Sequence, residues 1–371
     1  MLRVSQVPLS ELGAAMMVAS ELRQRGGVRH ALATQVDANK LCVREPVKYA
    51  FVLAELMAYP LSVVSHVLNV TQSGFHAWRG RPPSRRELER DGLRTEIRKV
   101  FDDQRGRYGA PRIYRVLCEQ NGYTGSLNRI QSLMRAMGLC AKAGKKFKVA
   151  TDSAHSLPVA PNFLGQDFSC DTTLASASHA KARDQVWLSD ITYSWTREGW
   201  LYVCAVLDLF TRRIVGWAIA EHMTRQLVLD ALQLADKVRQ PGSGLIFHSD
   251  RGSQYASHEV RAWLLARAMR QSMSGTGNCY DNAPMESYWH SMKVEELHGQ
   301  DFATRAAATH CVFAYIEGWY NTTRLHSSLG YKSPAQFERE CLATTVKAAN
   351  DEHAAIIGNN SPPARLKKRV A

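Results

Sequence analysis

Three carboxylates in this 371-residue chain have the type and spacing for metal-assisted chemistry. Asp190 lies inside an alternating run, VWLSDITY (186–193), with Leu188 and Thr192 on its own face. Aspartate is depleted in strands and a buried unpaired carboxylate is costly, so this position calls for a cation partner or a metal. Asp250 directly follows a second apolar run, LIFHS (245–249), at the C-terminal end of a predicted strand, where the sites of α/β proteins gather. Glu286 falls inside a predicted helix over 281–297, with 35 residues between it and Asp250. Two Mg²⁺ ions about 4 Å apart can clamp the attacking and leaving oxygens of an in-line phosphoryl displacement. Mg²⁺ takes oxygen ligands and few protein carboxylates, which leaves room for substrate phosphate and water. Singly, Asp250 could cap a turn and Glu286 could be a solvated helix residue. Delivered together from separate elements, the three acids meet the needs of such a site.

The elements that must position them change character along the chain. From 184 the period is that of strands: 186–193, 200–208 and 212–220, joined by short turns, predict an antiparallel meander. A helix over 224–239, a strand at 245–249, a helix over 257–268, a short strand near 269–273, a Gly-containing loop and the helix bearing Glu286 complete an RNase-H-like order of elements. The fold class expected is therefore an α/β core with a mixed sheet and flanking helices, preceded by all-α modules resembling helix-turn-helix units. Asn282, Glu286, His290 and Lys293 share one face of the 281–297 helix, and Lys293 stands two turns, roughly 10 Å, beyond Glu286. Asp208 is explained by turn chemistry, Asp281 by capping of that helix, and His248 by packing or hydrogen bonding beside the site. Trp195, Trp200, Trp217 and Trp289 are expected in the core.

Charge adds a partner. Lys and Arg exceed Asp and Glu by 13, and residues 1–150 hold 25 basic against 12 acidic residues, whereas the remainder balances at 22 each. A concentrated basic excess binds polyanions through phosphate contacts and counterion release. Within it, helices over 47–58, 61–68 and 72–79, the last capped by Thr71 or Ser73, predict a helix-turn-helix unit, and RGRPPSRRE (79–87) predicts a linker. Helices over 88–105, 110–121 and 126–137, the last capped by Ser126 and ended by Gly138, form a second basic module carrying Arg112, Arg115, Arg129 and Arg135. The first of these should bury Leu88, Leu93, Ile97, Val100 and Phe101. The division expected is a leader (1–46), the two modules (47–82 and 83–150), a linker (151–183), the core (184–300), a helical segment (301–345) and a basic tail (346–371). No apolar run is long enough to span a bilayer. Eight cysteines without a CxxC pair argue against a zinc finger and, with no signal peptide, against disulfides, which predicts a cytoplasmic protein with reduced thiols.

Five segments, WLSDITY (187–193), LDLFTRRIVGW (207–217), HSDRGSQY (248–255), NCYDNAPMESYW (278–289) and YNTTRLHSSLGYKSP (320–334), resemble in order the motifs of the IS-three family of insertion-sequence transposases. RYGAPRI (107–113) resembles the helix-turn-helix-like module before the core in that family, and the likeness runs from about Val47 to Glu338. It implies a DDE-class catalytic core resembling retroviral integrases. It also implies Asp190, Asp250 and Glu286 as catalytic metal ligands for two Mg²⁺ (or Mn²⁺) ions, and 3′-OH attack on phosphodiesters. Lys293 then takes the role of a basic residue holding a DNA end; Arg112, Arg115, Arg129 and Arg212 are the further expected DNA contacts. The partners expected are duplex DNA (element ends and target), further copies of the chain on that DNA, and an upstream-frame DNA-binding protein, since 1–46 shows no heptad run and the family's separate end-binding part looks absent. Two rival readings are a plain RNase-H-type nuclease and a non-catalytic DNA-binding remnant. The triad argues against the second, and the basic modules argue against the first.

Overall fold

The computed structural model describes residues 45–57, 60–142, 157–168, 180–275 and 279–359. Most of the predicted leader, the end of the tail and parts of the 142–179 stretch lie outside the described residues. The chain divides into two compact units, Met1–Arg105 with Val116–Cys140, and Gly106–Arg115 with Ala141–Ala371.

In the first unit, helices α1 (Glu45–Glu55), α2 (Leu61–Val67) and α3 (Gln72–Gly80) close on Phe75. Phe75 is packed by Tyr49, Val52, Leu56, Val64 and Leu68, with the Tyr49 ring edge-on at 6.0 Å. Thr71 caps α3 by accepting from the Gly74 N–H, and the turn before it places Asn69 at φ +48°, a left-handed position that Asn tolerates. Helix α4 (Arg85–Asp103) starts three residues earlier than predicted, inside the expected linker. The cause is a reciprocal cap: the Ser84 side chain accepts from the Glu87 N–H, and Glu87 reaches back to the Ser84 N–H. Leu93, Ile97 and Val100 are buried on α4, whereas Leu88 is 59% exposed, because it lies one turn outside the packed stretch. Helix α6 (Leu127–Ala136) is capped by Ser126 and buries Ile130, Leu133 and Met134. Between them runs α5 (Ala110–Asn121), and the division between the units falls within it, after Arg115.

The second unit is built on a five-stranded sheet in the order β3-β2-β1-β4-β5, the mixed RNase-H-like sheet that the sequence predicts. The long hairpin of β1 (Val186–Thr196) and β2 (Gly199–Asp208) and the return of β3 (Ile214–Ala220) are antiparallel. The short strands β4 (Ile246–Ser249) and β5 (Arg270–Met273) add in parallel, each after a crossover helix: α7 (Arg225–Arg239) and α8 (His258–Ala266). Helix α7 lies on β2 and β3 and buries Leu227, Val228, Ala231, Leu232 and Ala235. Gly216 permits that approach, since a Cβ there would stand 2.3 Å from the Ala231 carbonyl. Trp187, Phe247, Tyr255, Val260 and Leu264 complete this side of the core.

The helix predicted as continuous over 281–297 has three parts: a 3₁₀ turn (Cys279–Asn282), α9 (Ala283–Met292) and a π-turn (Lys293–Leu297). After it come α10 (Arg305–Phe313), a second π-helical stretch (Ala314–Tyr320) and α11 (Pro334–Asn359). Asn321 stitches this segment to the sheet, accepting from the Ile214 N–H at 2.9 Å and donating to the Ile214 carbonyl at 3.0 Å. Residues 157–168, read from sequence as linker, pack onto the unit: Asn162 and Gln166 donate to the Asp281 carboxylate, and the Phe163 N–H donates to Ser272 Oγ.

Candidate active site

The parallel pairing of β1 with β4 aligns Ser189 with Ser249; Asp190 continues β1 from that pair, and Asp250 is the first residue beyond β4. Neighbouring strands lie about 4.8 Å apart, which brings two like charges close together. The β4 pairing ends at Ser249, so from Asp190 onward the edge of β1 is free of β4 and a pocket opens there. It has a volume of about 340 Å³ and is lined by Asp190, Tyr193, Trp200, Tyr202, Asp250 and Tyr255, among others.

Both aspartates are held by their own backbone. Asp190 Oδ1 accepts from the Ile191 N–H at 2.8 Å, and Asp250 Oδ1 accepts from the Gly252 N–H at 3.0 Å. Below them, buried Ser189 hydrogen-bonds Tyr255 Oη at 3.0 Å, and the Asn282 side chain donates to the Ser189 carbonyl, tying the start of α9 to β1. Burial, then Asp250, then Glu286 push the Asp190 carboxyl up to about 8, while Lys293 acts in the opposite sense. Glu286 is exposed in the first turn of α9 and raised by partial burial. It does not line the pocket, yet its field reaches Asp190. Among the described residues no group of three or more His, Cys, Asp or Glu side chains stands at metal-holding spacing. Lys293 is half-buried where α9 passes into the π-turn; its ammonium lies 5.2 Å from the centre of the Tyr193 ring, and burial lowers its pKa against the pull of Asp190.

The other expected residues take varied places. Arg115 is exposed with its guanidinium 4.9 Å from the Tyr331 ring centre, and Arg129 is exposed on α6. Arg112 donates to the Leu325 carbonyl at 2.9 Å and approaches Glu295, and Arg212 donates to the Phe168 carbonyl at 3.0 Å. Asp208 is fully buried at the end of β2, where it accepts from the Thr211 N–H and hydroxyl of the following turn and from the Asp184 N–H. His248 is buried against Ser272 and Ser274, with its pKa pushed down to about 4 by burial.

Two expectations are corrected. Asp281 does not cap α9; the N-cap position belongs to Asn282, and Asp281 instead accepts from Asn162, Gln166 and the Gly275 N–H. Trp195 and Trp200 are not core residues but are 58% and 44% exposed, because they end a hairpin that extends past its neighbouring strand. Sequence reasoning also missed a buried polar cluster behind α9. Arg324 makes a forked pair with Glu295 at 2.8–3.1 Å and donates to Ser291, and Tyr315 Oη donates to Glu295. RYGAPRI joins it: Arg107 pairs with Glu296 and stacks on Trp319, and Tyr108 bonds the backbone at 323 and 325. The two motifs were visible in the sequence, but nothing in either showed that they meet.

Residues 180–279 match the family model described as Integrase core domain, 267–334 match a second model with that description, and 87–147 match an HTH-like domain. The sheet order, the paired acids and these matches define a DNA-processing enzyme of the DDE class, a polynucleotidyl transferase with an integrase core. The chain belongs to the IS3 family of insertion-sequence transposases. It is 40% identical over 298 residues to the transposase InsF for insertion sequence IS3A of Escherichia coli (strain K12), an alignment covering 80% of this chain and all of that protein. It is also 40% identical over 274 residues to an uncharacterized 31 kDa protein of insertion element IS600 from Shigella sonnei, covering 74% and 97%. Among solved structures, the HTLV-2 integrase catalytic core domain in complex with magnesium aligns with 42% of this chain and 97% of its own at 12% identity, with a TM-score of 0.31. That superposition is too loose to add to the sequence relationship.

Proposed function

We propose that Asp190, Asp250 and Glu286 hold the divalent cations of this transposase, two Mg²⁺ or Mn²⁺ ions, during DNA cleavage and strand transfer. The observation that carries this is that Asp190 and Asp250 directly follow the aligned pair Ser189 and Ser249 and line one pocket, where burial first, and then repulsion from Asp250 and Glu286, raises the Asp190 carboxyl to about 8. Bound cations would offset that repulsion, and an all-carboxylate donor set suits a hard cation that prefers oxygen. The ions would supply a clamp on the attacking and leaving oxygens of the phosphoryl displacement. The chain's own part is to orient the donors. The Ile191 and Gly252 N–H groups fix one oxygen of each aspartate, and the Asn282–Ser189 bond fixes the start of the helix that brings Glu286. In this reading a small movement of α9 brings Glu286 to the two aspartates.

Lys293, in the π-turn that continues α9 and within the field of Asp190, would take a phosphate of the DNA end. The exposed Arg115 and Arg129 are the stronger candidates for wider backbone contacts; Arg112 and Arg212, each held by a carbonyl, are the weaker. The basic modules 47–82 and 83–150 would hold the flanking duplex. Assembly of several copies on DNA, an upstream-frame DNA-binding partner and a cytoplasmic location belong to the same proposal. The test is a joining assay with a labelled 3′-OH end in Mg²⁺. Asp190→Asn, Asp250→Asn and Glu286→Gln should each lose cutting and joining but keep DNA binding. Substantial turnover by any one of them refutes the triad.

A further inference from the structure

The end of the β1–β2 hairpin carries four aromatic rings in two cross-strand pairs, Tyr193 opposite Tyr202 and Trp195 opposite Trp200. Such pairs ordinarily pay their way by burial against a second layer. Here, among the described residues, Tyr193 is 38%, Trp195 58% and Trp200 44% exposed, and Met223 beside them is 42% exposed. The rings meet edge to face: Trp200 stands at 86° to Tyr193 with centres 5.1 Å apart and at 76° to Trp195 with centres 4.9 Å apart. An edge-to-face contact fixes ring positions and covers a face of only one ring of the pair, whereas a stack covers a face of each. A contiguous exposed aromatic patch on a soluble protein marks an interaction surface.

Its position says what it meets. Tyr193, Trp200 and Tyr202 line the same pocket as Asp190 and Asp250, so the patch is continuous with the site. A phosphodiester held between those acids would have its neighbouring nucleotides within reach of the rings that line the pocket. The Lys293 ammonium above Tyr193 adds a cation at the boundary, where a phosphate leads to a base. Aromatic rings bind nucleic acid by stacking on bases, which in a duplex are already stacked on each other; an available base is one displaced from the helix.

Building on the proposed role of Asp190 and Asp250, we infer that the Tyr193–Trp200–Trp195 ladder is a stacking platform for a base unpaired from the DNA next to the reacting phosphodiester. The transposase thus takes a locally opened DNA end rather than an intact duplex terminus. Stacking is indifferent to base identity, so the ladder favours ends that open easily over ends of one particular sequence.

The test uses the full chain carrying Asp190→Asn, so that binding is read without turnover, and pre-cut duplex ends of three kinds. One set is fully paired, one has a mismatch at each terminal position in turn, and one has an abasic site at the same positions. The chain with an intact ladder should bind mismatched ends more tightly than paired ends, since the opening has already been done. At one position the abasic site should weaken binding by between about five- and 150-fold, the range of a lost base–aromatic stack. Trp195→Ala, which removes a mostly exposed side chain, and Trp200→Ala should erase both differences, and Trp200→Phe should restore them. Equal binding of all three kinds of end by the intact ladder overturns the inference. So does a Trp195→Ala or Trp200→Ala variant that keeps the discrimination, or a ladder variant whose only change is loss of self-association in light scattering without DNA; the last would make the patch a contact between copies. Because the readout is binding, failure here leaves the metal-ligand assignment standing, and a joining-competent Asp190→Asn would overturn that assignment while leaving this result intact.

Discussion

Asp190 and Asp208 are both strand aspartates, the first part-buried at the pocket and the second fully buried, and they differ in what compensates them. Asp208 accepts three hydrogen bonds from its own turn and from Asp184, so its charge is satisfied without a cation. Asp190 accepts one from Ile191 and faces two further acids. Asp208→Asn should therefore leave joining intact in folded protein but lower stability by about 1–3 kcal/mol, because an amide nitrogen replaces an acceptor facing buried donors; thermal melting beside the joining assay checks both halves. Burial raises the Asp208 carboxyl from its ordinary value to about 6. A group whose folded pKa lies above its unfolded one stabilises the fold most at low pH and loses that contribution as pH rises through 6. The stability of the native chain relative to Asp208→Asn should accordingly be greater at pH 4 than at pH 7, and denaturant unfolding at the two pH values measures the difference. Lys293→Ala should weaken end binding and joining by roughly 5- to 150-fold, the worth of one charge-assisted contact of about 1–3 kcal/mol, with the melting temperature unchanged. Wild-type end binding would make Lys293 a plain surface charge.

Helix α9 carries Glu286, and the π-turn that continues it carries Lys293 and is held from behind by the Arg324–Glu295 pair, in which each side chain is only 7% exposed. Removing one partner of a buried pair leaves the other charge stranded, at about 3–5 kcal/mol. Arg324→Ala should therefore lower the melting temperature sharply. Arg324→Lys keeps the charge but loses the fork, and should fall between. If Arg324→Ala melted like the native chain, the pair would be incidental to holding α9. Two elements, α4 and α9, also show where periodicity misleads. Pro82, Pro83 and the arginines of residues 79–87 predict a linker, although Ser84 and Glu87 stand at capping-box spacing and start α4 there. Spacings of four, four and three residues place Asn282, Glu286, His290 and Lys293 on one regular helix, whereas the chain is 3₁₀ before Ala283 and π from Lys293. Apolar spacing cannot distinguish helices that differ by one residue per hydrogen bond.

For the molecule as a whole, the net charge of +13 sits in residues 1–150, and binding to duplex DNA should carry the mark of counterion release. The affinity of the full chain should fall steeply between 50 and 200 mM salt, by about a thousandfold if some six phosphates are neutralised. A flat response in filter binding or fluorescence anisotropy across that range would refute an electrostatic footprint. No described helix is long and apolar enough to cross a membrane.

The sequence by itself determined the order of strands and helices, the cap at Ser126, a cap at Thr71 or Ser73, the turn role of Asp208 and the candidacy of the three acids. These rest on local pattern: alternation, capping residues, turn-forming types, and carboxylates where strands seldom carry them. Tertiary structure alone decided that β4 pairs in parallel with β1 so that Ser189 meets Ser249 and the aspartates stand together. It alone decided that RYGAPRI joins the cluster behind α9, and that β1 and β2 outrun β4 and leave Trp195 and Trp200 uncovered. A side chain's burial depends on which neighbour ends where. That is fixed by pairing between segments distant in the chain, and no local pattern encodes it.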